Sequence, residues 1–327
     1  MDYKPPYTIT TKIVNLVAKI TECAVRLSIQ KEADLRLRKV NRIQTIQGSL
    51  AIEGNTLSTE QVTAILDGKH IVAPIKEIQE VRNAIKAYDK FLNWNPFAVA
   101  DLLDAHRTMT EGLIDQCGMF RTGGVGVVAN TEVIHVAPPA DRVPYLIKDL
   151  FAWLERTDEH PLIASSVFHY EFEFIHPFAD GNGRIGRLWQ TLLLSRWNSQ
   201  FAYLPVENMV YQKQFGYYDA INESSYRTDC SPFIEFMLEV IYQTVSAITP
   251  EDTPHVTPEV ERLLRVLRHM PLGKQEILQA LGLKDEKNLR ELYIKPALQS
   301  GLIELTIPDK PKSPKQQYRL TEKGKLV

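Results

Sequence analysis

The sequence predicts a mainly α-helical protein with one β-hairpin in its larger part and a small domain of helices and strands at its C-terminal end. Three observations lead to this fold class. Apolar residues recur every three or four positions through most of the chain before residue 249, which is the spacing of amphipathic helices. One pair of β-branched runs interrupts this pattern at 125–136, and the sign of the charge changes at 249–258.

The helical segments carry recognisable end signals. The segment 33–53 stops at Gly54 and Asn55, residues that favour the left-handed conformation after a helix, and Ser58 with Gln61 forms a capping box for the next one. Helices are predicted, in order, at 11–27, 33–53, 58–67, 76–94, 100–113 and 143–156, and then on both sides of a glycine-rich loop, over about 163–174 and 185–197. Before that loop, Phe168, Tyr170, Phe172 and Phe174 also alternate as in a strand, but we favour the helix.

The segment 125–136 differs from its surroundings. Its two short β-branched runs flank Ala129, Asn130 and Thr131, and Pro138 with Pro139 follows them. This pattern predicts a hairpin. Because a lone hairpin is marginally stable, we expect it to pack on helices or to accept a partner strand.

Composition excludes several classes of protein. The 327 residues carry 38 basic and 40 acidic side chains, so the chain is not basic throughout, as a general nucleic-acid binder would be. Three widely spaced cysteines argue against a disulfide scaffold and a cysteine zinc site. We see no signal peptide and no apolar run long enough to span a membrane, and expect a cytoplasmic protein.

The charge is divided unevenly. Residues 255–327 contain 14 Lys and Arg against 9 Asp and Glu, which leaves a net negative charge on the rest. A Pro-containing acidic segment lies between the two parts and indicates a linker. The predicted organisation is a helical region at 1–95, a core at 96–248, a linker at 249–258 and a C-terminal domain at 259–327.

The run HPFADGNGRIGR, residues 176–187, concentrates three glycines, two arginines, an acid, an amide and a histidine. Gly181, Gly183 and Gly186 match the spacing of a dinucleotide fingerprint, but no βαβ unit or suitably spaced acid accompanies them. Arg187-Leu188 replaces the Lys-Ser/Thr of a Walker A loop, and an EF-hand would need Glu at Thr191. Each of these alternatives therefore fails at a checkable residue.

A glycine-rich turn that leads into a helix presents backbone N–H groups to one point, a geometry that binds phosphate. Arg184 and Arg187 lie three residues apart, on one face of the first helical turn, and can bind phosphate oxygens. Asp180 suits Mg²⁺ bridging phosphates, and Asn182 can donate its amide to a phosphate oxygen. His176, which titrates near neutral pH, is the candidate proton acceptor.

These residues resemble the motif HxFx[D/E]GNGRxxR of the Fic family at every specified position. The resemblance implies a Fic-type helical bundle with a hairpin "flap", and transfer of AMP from ATP to a Ser, Thr or Tyr hydroxyl of a target protein. It would make His176 the base, Asp180 the Mg²⁺ ligand, and Asn182 with the amides of Gly181 and Gly183 the anion hole. Arg184 and Arg187 would hold the β- and γ-phosphates. The hairpin at 125–136 would align the target segment by strand addition.

A second resemblance concerns Glu53. This carboxylate ends an apolar helix, where the helix dipole disfavours it, and a solvated surface acid is the plain alternative. The segment from Ser49 to Gly54 resembles the Fic inhibitory signature [S/T]xxxE[G/N]. The resemblance implies that Glu53 pairs with Arg187 and blocks placement of the γ-phosphate, with an inhibitory helix around 40–54. A similar glutamate in some Fic enzymes positions water to remove AMP, and the sequence does not separate these roles.

Two further expectations concern the periphery. Tyr217 and Tyr218 follow the loop helix and are candidates for stacking on adenine, as tyrosines do in related Fic enzymes. The C-terminal part looks like a winged helix, whose wing lysines, Lys310, Lys312 and Lys315, are candidates to meet DNA phosphates. Many winged helices bind proteins, and the sequence does not separate the two. A nucleotide-sensing DNA-binding regulator is therefore the rival to an enzyme. The target protein and the oligomeric state, a homodimer included, stay open.

Overall fold

The computed structural model describes most of the chain, and it divides the protein into two compact units, residues 1–249 and 250–327. The described residues are 3–29, 35–124, 126–129, 132–248, 257–268, 270–283, 285–308, 310, 313, 315–321 and 324. The predicted linker falls largely outside them. None of the helices in this described part combines the length and apolarity needed to cross a membrane.

The larger unit is helical, with one two-stranded sheet, as the sequence predicts. Its elements in chain order are α1 (Thr11–Ile29), α2 (Leu35–Ile52), α3 (Thr59–Leu66), α4 (Ile75–Lys90), α5 (Val99–Thr110), β1 (Gly126–Ala129), β2 (Glu132–Val136), α6 (Val143–Arg156), α7 (Pro161–Ile175), α8 (Asn182–Trp197), α9 (Val206–Gln212), α10 (Gln214–Arg227) and α11 (Ser231–Ile248). Short 3₁₀ turns follow α4, precede α6 and follow α8.

The centre of this unit is the antiparallel pair α7 and α8. Nearly every described side chain of α8 from Asn182 to Ser195 is buried, and most of α7 is buried as well. A helix that is buried on all sides is surrounded by other elements, and a single apolar core runs from Ile13 on α1 to Val245 on α11. The predicted strand alternative for the segment before the loop is thus wrong, because this segment is the buried helix α7.

Two predicted boundaries shift for local reasons. The helix predicted at 76–94 ends at Lys90 and tightens into a 3₁₀ turn over Phe91–Asn93. The helix predicted from 185 begins at Asn182, because Gly181 adopts a left-handed conformation with φ of 84° and serves as its N-cap. The loop motif therefore contributes its last six residues to the helix itself.

The inhibitory helix predicted around 40–54 is the C-terminal part of α2, and it packs closely on α9. A Cβ added at Gly48 would lie 2.5 Å from the Cα of Asn208, a distance at which backbone must move. The side chain of Asn41 also donates to the carbonyl of Tyr203 at 3.0 Å. These contacts fix the position of the C-terminal end of α2, at Ile52, and therefore the position of Glu53.

The hairpin forms where it is predicted. β1 and β2 pair antiparallel, with Gly126 opposite Val136 and Ala129 opposite Glu132, and the register shifts between Val127 and Val128. Val125, Asn130 and Thr131 lie outside the described residues.

The smaller unit has its own apolar core. Its elements are α12 (Pro258–Leu267), β3 (Leu272–Gly273), α13 (Lys274–Leu281), α14 (Glu286–Asn288), a π-helical segment (Leu289–Ile294), α15 (Lys295–Gln299), β4 (Ile303–Leu305) and β5 (Gln317–Leu320), and the strand order in the antiparallel sheet is β3-β5-β4. Helices followed by a small sheet are what the sequence predicts here. The continuous helix predicted at 285–301 widens into a π-helical turn just before Pro296, because proline lacks the N–H that a regular α-helix requires there.

Candidate active site

The predicted loop lies between the two central helices, and its backbone is held in a special shape. His176 follows α7 in the left-handed conformation, with φ of 49°, and its N–H donates to the carbonyl of Phe172. The left-handed conformation is unusual for a residue with a Cβ. Gly181 is left-handed as well, where glycine is the residue that adopts this conformation freely. The chain thus reverses between α7 and α8 within the six residues from His176 to Gly181.

Asn182 closes this loop. Its side chain is 2% exposed, and it accepts from the N–H of Phe178 and donates to the carbonyl of the same residue, both at 2.9 Å. The amide expected to contact phosphate thus also holds the loop. The N–H groups at the start of α8 have no carbonyl partner within the helix. Asn182 and Gly183 therefore present backbone donors to the space in front of the helix.

Asp180 and Arg184 form a pair at the mouth of the loop. The Nη2 of Arg184 lies 3.1 Å from Oδ1 of Asp180, and its Nη1 lies 3.9 Å from Oε1 of Glu80. Arg184 is nearly buried, whereas 48% of the Asp180 side chain is exposed. In the structure Arg184 and Arg187 bind different carboxylates, and their expected contacts with the β- and γ-phosphates stay a prediction.

The Asp180 carboxylate is the one predicted metal ligand. In the described part of the chain, no three His, Cys, Asp or Glu side chains converge as a complete metal site would require. A single exposed carboxylate beside a phosphate-binding loop nevertheless fits Mg²⁺, because this ion is commonly held by one or two carboxylates together with substrate phosphates.

Arg187 and Glu53 meet as the sequence predicts. The Nη2 of Arg187 lies 2.8 Å from Oε1 of Glu53 and donates to the carbonyl of Ser49 at 2.9 Å, and its Nε donates to the Ser49 hydroxyl at 3.3 Å. Arg187 is 2% exposed and the Glu53 side chain 35%. A Cβ added at Gly183 would lie 2.3 Å from Oε1 of Glu53. The Glu53 carboxylate therefore lies directly against the first turn of α8.

A cavity that is partly open to solvent adjoins this pair. The end at the start of α8, which is the end expected to hold phosphate and is named the phosphate-facing end for that reason, contains His176, Gly183, Arg187 and Glu53. The structure thus brings these predicted residues together. The other end of the cavity is mostly aromatic and apolar. The remaining lining residues are Tyr170, Glu173, Phe174, Tyr217, Tyr218, Ile221, Asn222 and Ser225.

The two predicted tyrosines both lie at the aromatic end, in different settings. Tyr217 is 2% exposed, and its hydroxyl is 3.0 Å from Nε2 of His169. Tyr218 is half-buried, and its ring packs edge-on against Tyr217 at 5.4 Å. Tyr218 is thus the one whose ring faces the cavity more openly, with Tyr217 supporting it.

Glu173 was missed by the sequence analysis. It lines the cavity, and one of its carboxylate oxygens is buried without a hydrogen-bond partner among the described residues. Burial raises its pKa to about 8, a rise that Arg187 opposes and Glu53 reinforces. The spacing of Tyr170, Glu173 and Phe174 on one face of α7 was the available signal.

His106 on α5 was also missed. Its ring stacks on Phe178 with centroids 3.7 Å apart, its Nδ1 accepts from the N–H of Gly118, and its Nε2 lies 3.0 Å from the carbonyl of Asp180. Burial lowers its pKa to about 4, so it is neutral near pH 7 and its Nε2–H donates to that carbonyl. His106 therefore fixes the backbone of Asp180.

Comparisons with known proteins agree with this geometry. The family model described as Fic/DOC family matches residues 96–194, which contain the loop. A crystal structure of a Fic family protein from Desulfovibrio desulfuricans is similar over 98% of this chain and 99% of its own, with 49% identity and a TM-score of 0.74. The chain belongs to the Fic family. A second model, the C-terminal domain of Fic-like proteins, matches residues 258–321.

More distant Fic relatives extend the comparison. A protein from Culex quinquefasciatus named protein adenylyltransferase Fic is 34% identical over 64% of this chain and 42% of its own, and one of the same name from Nematostella vectensis is 27% identical over 75% and 54%. The chain thus spans about half the length of these curated relatives. The structure of Fic-1 from Caenorhabditis elegans, at 23% identity and a TM-score of 0.59, shares the fold over 72% of this chain and 71% of its own.

Proposed function

We propose that this Fic protein is a nucleotidyltransferase that moves AMP from ATP to a Ser, Thr or Tyr hydroxyl of a protein, itself included. The observation that carries the proposal is the cavity in which His176, the start of α8 and Arg187 line one end and aromatic side chains line the other. Relatives named protein adenylyltransferase share the loop-bearing part of the chain.

The proposed reaction joins the hydroxyl oxygen to the α-phosphorus of ATP and breaks the bond from that phosphorus to the oxygen bridging to the β-phosphate. His176 takes the hydroxyl proton, as a positioned imidazole does in general base catalysis. The backbone N–H groups of Asn182 and Gly183 stabilise the charge that develops on the α-phosphate oxygens, aided by the helix dipole. Pyrophosphate leaves.

Asp180 would hold Mg²⁺, which neutralises phosphate charge when bound. At the other end of the cavity, the ring of Tyr218 would stack on adenine, with Tyr217 holding it in place. Base–aromatic stacking is worth about 1–3 kcal/mol, which is enough to orient the nucleotide without reading its identity in detail. Arg187 would bind the terminal phosphates, but only when its present partner leaves.

That partner is Glu53, which we infer to be an inhibitory residue. Its carboxylate is hydrogen-bonded to the guanidinium of Arg187 and lies against Gly183. Phosphate oxygens would otherwise bind at both of these places. ATP can bind with its terminal phosphates in place only if Glu53 withdraws. Because 35% of Glu53 is exposed, water screens the pair, and we expect the release of inhibition to be worth about 1–3 kcal/mol.

Mass spectrometry after incubation with Mg·ATP tests the proposal. AMP transfer adds about 329 Da to the protein through a new covalent bond. The added mass should be larger in Glu53→Gly than in wild type and absent when His176→Ala is introduced into Glu53→Gly. The absence of any addition in all three proteins would refute transfer. Loss of AMP from a modified protein, faster in wild type than in Glu53→Gly, would instead identify AMP removal as the main activity.

The hairpin and the smaller unit carry proposals about partners. The hairpin would add a strand from the target protein. Lys310 and Lys315 of the smaller unit are exposed and would meet DNA phosphates, whereas Lys312 lies outside the described residues. A gel shift with residues 255–327 over a range of salt tests the DNA proposal, since phosphate contacts weaken as salt rises. No retention at low salt would remove it.

A further inference from the structure

Arg121 lies in the loop between α5 and β1, and it connects three parts of the chain. Only 3% of it is exposed. Its guanidinium donates to the carbonyl of His176 from Nε at 2.7 Å and to that of Ile175 from Nη2 at 3.3 Å. The same group donates to the carbonyl of Gly123 from Nη1 at 2.9 Å and to that of Pro138 from Nη2 at 2.5 Å.

The positions of these carbonyls matter. Gly123 precedes the hairpin and Pro138 follows it. Arg121 therefore holds together the two segments that enter and leave the hairpin at its base. Ile175 ends α7, and His176 is the proposed base. The backbone N–H of Arg121 also donates to the carbonyl of Pro177 at 2.9 Å. One buried side chain thus joins the hairpin base to the loop that carries His176.

The chemistry of the side chain suits this task. Guanidinium is planar and has N–H donors fixed in a fork, so it can satisfy several carbonyls that converge from different directions. His176 is in the left-handed conformation, which persists only when its surroundings impose it, and Arg121 holds the carbonyl of that residue. Lysine would keep the charge but could not reproduce the fork.

We propose that Arg121 is a positioning residue that sets the hairpin and His176 in one fixed relation, so that a target hydroxyl aligned by the hairpin arrives at the imidazole. This role rests on the proposed AMP transfer. Arg121 is absent from the lining of the nucleotide cavity, so its effect falls on transfer to the hydroxyl and leaves nucleotide binding unchanged.

The test compares Arg121→Lys with two controls, all in the Glu53→Gly background. Arg196→Lys removes a guanidinium elsewhere, because the Nη2 of the exposed Arg196 donates to the carbonyls of Leu92 and Trp94 near the other end of α8. Ile20→Val loses one methyl group from α1, away from the cavity, and gives a mildly destabilised protein for comparison. Calorimetry measures the Kd for Mg·ATP, and single-turnover labelling at saturating ATP measures the transfer rate.

We expect Arg121→Lys to lower the transfer rate about 10- to 100-fold, since misplacement by about 1 Å can cost that much. The Kd for Mg·ATP should stay within about twofold, because the cavity walls come from other elements. Both controls should transfer AMP at nearly the rate of Glu53→Gly itself. Equal rates in Arg121→Lys and the controls, or a parallel loss of ATP binding, would overturn the proposal.

Hydrogen exchange in the wild-type protein tests the same link without a variant that must fold. Because one guanidinium binds both segments, we expect the backbone amides near Pro138 and those within 175–178 to become exchangeable in the same opening event. Exchange near the hairpin base that is about tenfold faster or more than in 175–178 would refute the link, because the two would then open separately. This readout needs no transfer activity. If Glu53→Gly fails to label while the segments exchange together, the proposed function fails and the link stands.

Discussion

The two ends of the cavity are built in different ways. The phosphate-facing end comes mainly from one unbroken stretch, His176 to Arg187, whose shape depends on backbone conformation and on the start of α8. The aromatic end comes from side chains that recur at helical spacing along α7, from Tyr170 to Phe174, and along α10, from Tyr217 to Ser225. We therefore expect the first end to tolerate little substitution and the second to tolerate more.

The largest expected effect lies at the phosphate-facing end. His176→Ala in the Glu53→Gly background should reduce AMP transfer by about 10²- to 10⁴-fold, the usual contribution of a general base, so that no added mass is detected after the incubation that labels Glu53→Gly. Binding of Mg·ATP should be retained, because the backbone donors remain. Labelling rate and calorimetry measure the two properties. Transfer undiminished in this variant would exclude His176 as the base.

A smaller effect is expected from a substitution that releases inhibition but leaves both Glu53 and Arg187 unchanged. Gly48→Ala places a Cβ against the backbone of Asn208, so α2 must shift and carry Glu53 away from Arg187. We expect labelling to rise about 10-fold, which corresponds to about 1.4 kcal/mol. Gln44→Ala, on the preceding turn of α2 at a half-buried position, is the control. Equal labelling in Gly48→Ala and wild type would show that the packing of α2 does not set inhibition.

Substitutions at the aromatic end of the cavity should change the affinity for Mg·ATP. Tyr218→Ala should raise the Kd for Mg·ATP about 10-fold through lost stacking, and Tyr218→Phe should leave it nearly unchanged. Binding of inorganic triphosphate, which has no base, should be the same in all three proteins. If triphosphate binding weakens as much as ATP binding, Tyr218 supports the whole cavity and the contrast between its ends disappears.

The smallest effect concerns Glu173, which lies between the two ends. Its pKa is raised to about 8 in the folded protein. Between the ordinary pKa of a glutamate and pH 8, the folded protein therefore holds a proton that the unfolded chain has lost. The free energy of unfolding falls as the pH rises through this range. Glu173→Gln removes this dependence. The difference in Tm, Glu173→Gln minus wild type, should therefore be a few degrees larger at pH 8.5 than at pH 5. A difference in Tm that is constant over this range would contradict the raised pKa.

The same contrast explains what could be predicted from the sequence. Helix periodicity, end signals and the hairpin pattern are local, and the elements form close to where they predict, with shifts at Gly181 and Pro296 caused by backbone chemistry. The loop motif is local too, and its resemblance to the Fic family extended the prediction to Glu53, which is 134 residues from Arg187 in sequence but bonded to it in the structure.

Other contacts could not be predicted, because they join distant backbone carbonyls that leave no trace in side-chain patterns. Arg121 and His106 are examples, since both act on carbonyls of the loop. Asn182 is a related case: the sequence motif predicts that its side chain contacts phosphate, but does not predict the two hydrogen bonds that this side chain makes to the backbone of Phe178. Side-chain identity alone did not reveal which groups would be consumed in holding the loop.

The central claim is that Glu53 holds Arg187 away from ATP in a protein otherwise equipped for AMP transfer. The direct measurement is the amount of covalent AMP on wild type, Glu53→Gly and Glu53→Gly with His176→Ala after equal incubation with Mg·ATP. The account predicts more AMP on Glu53→Gly, by about 10-fold or more if the pair is worth over 1.4 kcal/mol, and none on the double variant. Equal AMP on wild type and Glu53→Gly would contradict it.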